Sequence, residues 1–398
     1  MNKSLYLSSA QFKAEINRCL NCRNQPCMQA CPVHCNPHDF IAKAKAGDFT
    51  GAVEVITRSN PMGETCGLIC PDKFCMKACT RANLDFPINI PKVQALIMEK
   101  YRNTAVLPSS PKSNGYKIAV IGAGPAGIAA AAKLIEHSFK VVIFEADDKV
   151  GGALNLIPDM RLPSEVIEKD WEFIKNSPLT EVFLNSRIKT PQKLLDDGYD
   201  ALIIASGEPN TVDLGVAGED LAISYVDYLK APQKYNISGG NAAIIGGGAV
   251  AVDCALTART MGAKNVEMFV RRRISDMRIT GEERQNLLDD MIDITTMTGI
   301  KGVTKGDNGK LNLLTCKNYF DDGRLREIAG TQIMRPDFDI VIKAIGSSSP
   351  HFEDSDRIVY AGDCKTGGST LVEALASGIE AAQKISALLL KEEKVAAL

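Results

Sequence analysis

Apolar runs, glycine turns and alanine-rich segments follow one another in the same order in two parts of the chain. The first is YKIAVIGAGPAGIAAAAKLIEHSFKVVIFEA at 116–146, and the second is NAAIIGGGAVAVDCALTARTMGAKNVEMFVRRR at 241–273. In each, a β-branched run predicts a strand, the glycines a turn, and the alanine-rich stretch a helix before a second strand. Gly262 is expected to end the second helix before the strand at 266–270. The pattern therefore predicts two βαβ units of the kind that bind nucleotides.

The N-terminal hundred residues show a different pattern. Segments such as HDFIAKAKAGDFTGAVEVITRS at 38–59 have apolar residues at helical spacing and no strand-like alternation. The segment 103–115 is rich in Pro, Ser and Asn, which is typical of a connection. After the second βαβ unit come DIVIKAIG, RIVYAGD and a long amphipathic helix from about Thr370, which we expect to complete the first nucleotide domain.

These boundaries predict an α/β protein with three domains. A helical domain occupies 1–110, the first nucleotide domain 115–212 and 338–398, and the second nucleotide domain 213–337. Both nucleotide domains are expected to be Rossmann-like, and the first would be discontinuous because the second is inserted into it.

Composition excludes several classes of function. The 398 residues are 45% hydrophobic and 24% charged, with a formal net charge of -2, so no strong field attracts nucleic acid or an anionic membrane. The first residues lack the apolar core of a signal peptide, and no run approaches the roughly 18 apolar residues of a membrane span. We expect a cytoplasmic protein that binds neither nucleic acid nor membrane.

Nine of the twelve cysteines lie between Cys19 and Cys79, which marks a specialised segment. Eight of them form two bursts, CLNCRNQPCMQACP at 19–32 and CGLICPDKFCMKAC at 66–79, and the ninth is Cys35. A disulfide framework is typical of small secreted chains, whereas this close spacing and the trailing proline are typical of iron–sulfur ligation. The alternative is a zinc site with Cys19 and Cys22 as half of its ligands.

The two bursts together indicate two clusters. Because the last cysteine of such a run ligates the other cluster in two-cluster ferredoxins, Cys31 and Cys79 are expected to exchange partners. Spacing leaves the fourth ligand of the second cluster open, since Cys35 and Cys66 are equally natural choices.

The first glycine turn has the features of a dinucleotide site. Gly122 permits the tight turn, Gly124 lets the backbone approach a pyrophosphate, and Gly127 lets helix and strand pack closely. Glu145, at the end of the second strand, would accept a hydrogen bond from a ribose hydroxyl.

The second turn has the G-x-G-x-x-A arrangement, but arginines rather than an acid follow its second strand. An acidic residue there would repel a 2′-phosphate, whereas the guanidinium groups of Arg271 and Arg272 bind phosphate through charge-assisted hydrogen bonds. The sequence therefore favours NADPH, with NADH as the alternative.

Five segments, CLNCRNQPCMQACP, NPMGETCGLICP, PINIPKVQ, GAGPAG and MRLP, together resemble the electron-input half of the dihydropyrimidine dehydrogenases and, more broadly, the glutamate synthase small-subunit family. The resemblance covers about residues 17 to 390 and implies FAD and two 4Fe-4S clusters. The implied ligands are Cys19, Cys22, Cys27 and Cys79 for the first cluster, and Cys31, Cys70, Cys75 and Gln94 for the second. Glutamine at position 94 resembles the dihydropyrimidine dehydrogenases, since glutamate synthase small subunits typically have glutamate there. Cys35 and Cys66 would then be buried thiols without a ligand role.

The same resemblance extends the set of nucleotide-binding residues. For FAD the full set is Gly122, Gly124, Ala126, Gly127, Glu145, Gly152, Arg161, Ala205, Gly207, Gly362, Asp363 and Thr370. For the nicotinamide nucleotide it is Gly246, Gly247, Gly248, Ala249, Val250, Arg271, Arg272, Arg278, Ala344, Ile345 and Gly346. The resemblance implies that Asp363 contacts the ribityl chain of the flavin and that the segment 344–346 lies near the nicotinamide.

These expectations describe an electron-input oxidoreductase. FAD accepts a hydride from NAD(P)H and releases single electrons, which side chains cannot do, so no catalytic side chain is expected. A pyrimidine-reducing barrel would need roughly 250 further residues, so we expect a hetero-oligomer in which electrons cross FAD and the clusters to an FMN-containing barrel subunit or another electron-accepting subunit. The alternatives are a glutamate synthase small subunit, a stand-alone reductase of an acceptor such as ferredoxin, and a zinc-bearing nucleotide-binding scaffold. One departure from the family is the short crossing at 347–356.

Overall fold

The computed structural model describes residues 4–104, 112–208, 210–348 and 352–396. In chain order its α-helices are α1 (Ser9–Arg18), α2 (Pro26–Gln29), α3 (Pro37–Lys45), α4 (Phe49–Thr57), α5 (Gly63–Ile69), α6 (Ile90–Tyr101), α7 (Pro125–Glu136), α8 (Ser164–Lys175), α9 (Gln192–Asp196), α10 (Tyr225–Lys230), α11 (Ala249–Thr260), α12 (Gly281–Asp289), α13 (Asp363–Thr366) and α14 (Leu371–Ala396). Its strands are β1 (Lys117–Ile121), β2 (Lys140–Phe144), β3 (Thr180–Phe183), β4 (Ala201–Ile204), β5 (Asn210–Thr211), β6 (Ile223–Ser224), β7 (Asn241–Ile245), β8 (Asn265–Val270), β9 (Asp293–Thr296), β10 (Thr298–Lys305), β11 (Leu311–Asp321), β12 (Arg324–Glu327), β13 (Ile333–Phe338), β14 (Ile340–Lys343), β15 (Ser347–Ser348) and β16 (Ile358–Tyr360).

These elements form two compact units. The first comprises the described parts of residues 1–155, 159–208 and 349–398, and the second those of residues 156–158 and 209–348. Much of the expected connection at 103–115, and part of the short crossing at 347–356, lie outside the described residues.

The N-terminal part of the first unit is helical from α1 to α6, as predicted. The pattern over 38–59 forms two helices, α3 and α4, because Gly47 is left-handed (φ 79°) and Asp48 caps α4. The Asp48 side chain accepts a hydrogen bond from the Gly51 backbone N–H at 2.9 Å. Each of the two helices buries several apolar residues.

A parallel sheet in the first unit has the strand order β16-β4-β1-β2-β3. Strands β1 and β4 are almost entirely buried, as is typical of parallel strands. Helix α14 packs closely on α7 at Gly378, where a Cβ would lie 2.0 Å from the Ala126 carbonyl oxygen. Because β16 and α14 come from the end of the chain, this nucleotide fold is discontinuous.

The second unit contains a parallel sheet with the order β6-β14-β7-β8-β9. Strand β14 is the DIVIKAIG run, which we expected in the first nucleotide domain, so residues 338–348 lie in the second unit instead. The difference arises because a short apolar run predicts a buried strand without showing which sheet it joins. Helix α11 ends before Gly262 (φ 91°), as predicted.

An antiparallel sheet that the sequence did not predict completes the second unit. Strand β11 pairs with β10, β12 and β13. Its inward side chains Val303, Leu313 and Phe338 are buried with Phe269 of β8. Polar and charged residues interrupt these strands, which hides the apolar alternation that would have predicted them.

The two parallel sheets and the N-terminal helices confirm the α/β class with two Rossmann-like folds after a helical segment. In each sheet a glycine turn follows the first strand at its carboxyl end, which is where nucleotides bind in such folds. Among the described residues, no helix is both long enough and apolar enough to cross a membrane.

Candidate functional site

A cavity lies among the cysteines of the N-terminal helices. Its wall contains Cys19, Cys22, Cys27 and Cys79, the four thiols expected at the first cluster. Isoleucine and proline side chains form much of the remaining wall. Sulfur donors in a largely apolar surround suit an iron–sulfur cluster, because its iron atoms bind thiolates.

Local backbone conformation turns the first cysteine burst back on itself. Cys19 caps the C-terminus of α1, and Asn21 and Gln25 are both left-handed (φ 53° and 45°). Gln25 then precedes the four-residue helix α2, which carries Cys27. Burial, and then the nearby thiols of Cys19 and Cys79, raise the pKa of Cys27 to about 11. Binding to a cluster would therefore have to displace the thiol proton.

Polar residues that the sequence did not single out lie at this cavity. The Thr80 hydroxyl is 3.1 Å from Cys22 Sγ. His38 also lines the cavity, and its Nδ1 lies 2.7 Å from Asp39 Oδ1 and 3.2 Å from Gln25 Nε2. Hydrogen bonds to ligand sulfur tune cluster potentials, but sequence spacing does not distinguish these polar residues from others.

The thiols expected at the second cluster also lie together. Burial, followed by the neighbouring Cys31 thiol, raises the pKa of Cys70 to about 12. Burial, followed by the Cys70 and Cys31 thiols, raises the pKa of Cys75 well above its usual range. Cys35 and Cys66 are buried near the same thiols, and these five residues, Cys31, Cys35, Cys66, Cys70 and Cys75, are the second cysteine group.

Gln94 lies on the buried face of α6 and is 7% exposed. Its Nε2 donates to the Gly63 carbonyl oxygen at 2.7 Å, and its Oε1 accepts from the Cys35 thiol at 3.6 Å. The contact with Gly63 assigns the other end of the amide as oxygen. An oxygen donor therefore lies beside a thiol of the second cysteine group.

The donors in both groups fit iron–sulfur clusters. Within the described part of the chain, no three His, Cys, Asp or Glu side chains converge to hold a single metal ion. A four-iron cluster does not require such convergence, because its cysteines bind separate iron atoms at the corners of a cube. The assignment of individual ligands stays a prediction.

The carboxyl ends of β1, β4 and β16 bring three sequence signatures together. Gly122 (φ 103°) follows β1, and a Cβ there would lie 2.3 Å from the Ala205 carbonyl oxygen. A Cβ at Gly127 would lie 1.9 Å from the Gly122 carbonyl oxygen, and one at Gly362 would lie 2.8 Å from Ala126 Cβ. The segments GAGPAG, IIASG and AGD therefore meet at one edge of the sheet.

The N-terminus of α7 is open for a phosphate. Gly124 is its N-cap, and in the part of the chain that the structure describes the atom nearest to a Cβ there would be Gly152 Cα, at 3.9 Å. A pyrophosphate fits such a space, because helix N-terminal N–H groups bind anions. Glu145 is buried beside the turn, where its carboxylate accepts from the N–H groups of Ala123 at 2.7 Å and Asp147 at 2.9 Å. Its oxygens retain acceptor capacity for a ribose hydroxyl.

Asp363 and Thr370 lie on either side of the loop between α13 and α14. The Asp363 carboxylate accepts from the Ser369 hydroxyl at 2.6 Å, and burial raises its pKa. Thr370 donates from its N–H and its hydroxyl to Glu373 Oε2 at 3.0 and 2.6 Å. Glu373 is also paired at 3.4 Å with Lys73, a residue of the second cysteine burst. The start of α14 therefore contacts the cysteine segment.

Arg161 and Gly207 are the remaining residues expected to contact FAD. Gly207 (φ 70°) lies just after β4, and no atom of the described residues lies within 4 Å of where its Cβ would be. Arg161 is partly exposed in the turn before α8. Their contacts with the flavin stay predictions.

In the second unit, a glycine turn again lies at the carboxyl ends of two neighbouring parallel strands, β7 and β14. A Cβ at Gly246 would lie 2.2 Å from the Ala344 carbonyl oxygen, and one at Gly247 would lie 2.8 Å from Val270 Cγ1. Gly248 is the N-cap of α11 with open space beside it, and its backbone pairs with that of Arg278. Four more expected contacts lie at the same edge, at the start of α11 and after β14: Ala249, Val250, Ile345 and Gly346.

Three consecutive arginines follow β8 and differ in their surroundings. Arg273 forms an ion pair with Asp276 at 2.9 Å, and its guanidinium lies 4.7 Å from the centroid of the Phe320 ring. Arg271 and Arg272 are exposed, and no ion pair of their guanidinium groups with the described residues is found. These two arginines are therefore the ones placed to meet a phosphate.

A buried ionic network that the sequence did not predict joins α5 and α8 to the residue that follows α6. Arg102 forms ion pairs with Glu64 and Asp170, whose side chains are fully buried. The Tyr6 hydroxyl donates to Glu64. Asp170 also accepts from the Thr65 N–H at 2.8 Å and the Thr65 hydroxyl at 2.7 Å. The available signal was an acidic residue on the apolar stripe of α8.

Comparisons with known proteins agree with this geometry. Residues 2–106 match the family described as dihydropyrimidine dehydrogenase domain II, 4Fe-4S cluster, and residues 116–374 match the pyridine nucleotide-disulphide oxidoreductases. The NAD-dependent dihydropyrimidine dehydrogenase subunit PreT of Escherichia coli (strain K12) is 30% identical over 392 residues, which cover 93% of this chain and 92% of that protein.

Two further proteins are similar. The NADPH glutamate synthase small chain of Escherichia coli (strain K12) is 28% identical over 433 residues, covering 95% of this chain and 91% of that protein. The structure of Mycobacterium tuberculosis FprA in complex with NADPH superposes with a TM-score of 0.62 at 18% identity, over 71% of this chain and 86% of that one. At this identity the second likeness concerns the fold alone.

Proposed function

We propose that this chain delivers electrons for pyrimidine reduction on an FMN-containing barrel subunit. The reason is that the chain belongs to the family of the dihydropyrimidine dehydrogenase subunit PreT and to the pyridine nucleotide-disulphide oxidoreductases. Family membership confirms the predicted resemblance. It also confirms the coarser prediction of function: the chain is an NAD(P)H-dependent flavin and iron–sulfur oxidoreductase that acts as an electron-input subunit. The pyrimidine, the barrel partner and a cytoplasmic location stay predictions.

Gln94 is the observation that carries the pyrimidine assignment. An amide rather than a carboxylate stands at the proposed fourth ligand position, buried beside the thiols of the second cysteine group. This choice of residue resembles the dihydropyrimidine dehydrogenases and differs from the glutamate synthase small subunits. The overall identities of 30% and 28% to the two kinds of relative do not separate them.

The residues of the chain bind and orient the groups that carry out the chemistry. FAD and the clusters, when bound, supply the conversion of hydride transfer into single-electron transfer. We propose that the N-terminus of α7 at Gly124 binds the FAD pyrophosphate and that Gly248 does the same for the nicotinamide nucleotide. The two cysteine groups would hold the clusters within the same unit as the flavin fold.

We further propose that NADPH is the preferred donor. The exposed guanidinium groups of Arg271 and Arg272 follow β8, where a 2′-phosphate would lie in a Rossmann-like fold. Arg273, by contrast, is engaged by Asp276. The name of the PreT relative specifies NAD, whereas that of the glutamate synthase small chain specifies NADPH, so the arginines, rather than the relatives, support this choice.

The test is reconstitution with two candidate partners. The isolated chain should reduce an artificial dye with NADPH and leave uracil unchanged, and addition of an FMN-containing dihydropyrimidine dehydrogenase subunit should give NADPH-dependent loss of uracil. Coupling to a glutamate synthase large subunit instead would favour the second candidate function, that of a glutamate synthase small subunit. The similarity that supports this candidate covers 91% of the glutamate synthase small chain. Uracil reduction by the isolated chain would contradict the division of labour.

A further inference from the structure

Two side chains that could each bind iron, an amide and a thiol, lie next to each other at the second cysteine group. Gln94 Oε1 and Cys35 Sγ are 3.6 Å apart, and the two residues are 7% and 3% exposed. The proposed ligand set uses the amide oxygen and leaves the thiol unused. A thiolate is the stronger ligand of the two for cluster iron, because iron–sulfur clusters are held by soft sulfur donors.

The backbone brings Cys35 back to the group that contains Cys31. His34 is left-handed (φ 52°) and its N–H donates to the Cys31 carbonyl oxygen at 2.9 Å, which closes a turn between the two cysteines. Asn36, the next residue, caps α3 by accepting from the Asp39 N–H at 3.2 Å. Cys35 is therefore fixed between a closed turn and a helix N-terminus.

Cys66 provides an internal comparison. It is also 3% exposed and also lies near the thiols of the second group. However, it lies within α5, and no hydrogen bond between Cys66 and Gln94 is found among the described residues. The two cysteines that spacing could not distinguish thus differ in their relation to the proposed oxygen ligand.

We propose that Cys35 is a reserve ligand for the iron atom bound by Gln94. The proposal rests on the proposed ligand set of the second cluster. Rotation about χ1 moves a cysteine sulfur by about 3 Å between staggered positions, which is comparable to the 3.6 Å that separates the two donors. In the exchange, the iron–oxygen bond to Gln94 breaks, an iron–sulfur bond to Cys35 forms, the thiol proton leaves to solvent, and no electron is transferred.

The consequence is that Cys35 protects the second cluster against loss of the iron atom bound by Gln94. An iron atom held by an amide oxygen is the one most readily lost, and its loss would leave a three-iron cluster. A thiol beside the oxygen retains this iron when the oxygen is absent. Cys35 therefore acts on the iron content of the protein rather than on a reaction step.

The experiment compares anaerobically purified full-length variants by iron content and by the electron paramagnetic resonance signal of oxidised three-iron clusters. Wild type, Gln94→Ala and Gln94→Ala/Cys66→Ser should each contain about eight iron per chain and lack the signal. Gln94→Ala/Cys35→Ser should lose about one iron per chain and show it. The single variants Cys35→Ser and Cys66→Ser provide a second comparison that leaves Gln94 in place: on exposure to air, Cys35→Ser should form the three-iron signal and Cys66→Ser should not.

Two results would overturn the reserve role. One is a three-iron signal in Gln94→Ala as strong as in its combination with Cys35→Ser. The other is equal behaviour of the Cys35→Ser and Cys66→Ser variants in both comparisons. Wild-type protein with zinc or with far fewer than about eight iron would instead contradict the proposed ligand set, and this failure is distinguishable because it involves no substitution.

Discussion

The Asp170 carboxylate holds the first turn of helix α5 through Thr65, whose N–H and hydroxyl donate to Asp170 Oδ2 at 2.8 and 2.7 Å. Helix α5 begins at Gly63, whose carbonyl oxygen accepts from the Gln94 amide, and Cys70 follows it as the C-cap. A side chain of α8 thus fixes a helix whose two ends lie beside two expected ligands of the second cluster.

Asp170→Ala should strongly destabilise the protein. The substitution removes one of the two carboxylates paired with Arg102 and leaves the Thr65 N–H and hydroxyl without their acceptor. Breaking a buried ion pair costs about 3–5 kcal/mol. The measurement is the free energy of unfolding in urea. Asp213→Ala is the control, because Asp213 is 80% exposed in its ion pair with Lys343 and its loss should cost less than about 1 kcal/mol. Equal effects of the two substitutions would refute the structural role of Asp170.

Tyr6→Phe should change how stability depends on alkaline pH. Burial, followed by the charge of Glu99, raises the pKa of Tyr6 from 10.0 to about 12. Because the raised pKa belongs to the folded state, the stability contributed by this hydroxyl is fully present below pH 10 and is lost as the pH rises toward 12. Urea unfolding of both proteins should show a constant difference below pH 10 that disappears near pH 12. A difference that stays constant throughout would show that Tyr6 titrates normally.

Gly124→Ala and Gly127→Ala should fail for different reasons. At position 127 the new Cβ would lie 1.9 Å from a backbone oxygen, so we expect loss of the native fold, seen as loss of near-UV circular dichroism. At position 124 the nearest atom would be 3.9 Å away, so the chain should fold but retain less FAD, measured by flavin absorbance per chain. Gly248→Ala, which has open space in the second unit, should retain FAD normally. Full FAD content in Gly124→Ala would contradict the proposed pyrophosphate site.

Replacing Arg271 and Arg272 with alanine should weaken the use of NADPH. Each charge-assisted hydrogen bond contributes about 1.5–3 kcal/mol, so KM for NADPH should rise by about tenfold or more. The KM for NADH should change little, because NADH lacks the 2′-phosphate. Arg273→Ala is the matched control, since that guanidinium is already paired with Asp276. If Arg273→Ala had the larger effect on NADPH, the 2′-phosphate would have been assigned to the wrong arginines.

The sequence predicted the parts of the site in which local spacing determines geometry. Gly122 and Gly246 follow their strands as expected, since strand, turn and helix are adjacent in the chain. The four thiols Cys19, Cys22, Cys27 and Cys79 share one cavity, but the choice of Cys79 from the second burst came from two-cluster precedent and resemblance rather than from local spacing.

The sequence did not predict which residues pair when they lie far apart in the chain. The apolar run of β14 fits either parallel sheet equally well, and its place is decided by pairing with β7. The ion pair of Arg102 with Asp170 and the contact of Cys35 with Gln94 join residues 68 and 59 positions apart. Such contacts depend on how helices pack, which hydrophobic periodicity does not specify.

The most direct test of the electron path compares two rates in the variant Cys19→Ala/Cys22→Ala, which removes two expected ligands of the first cluster. If the proposed path is right, dye reduction by NADPH should require only the flavin, whereas reduction of a partner subunit should also require the clusters. If electrons leave through the clusters, the dye rate should stay within about twofold of wild type while NADPH-dependent reduction of the reconstituted partner falls at least about a hundredfold. A partner rate that falls no more than the dye rate would show that electrons reach the partner without crossing the first cluster.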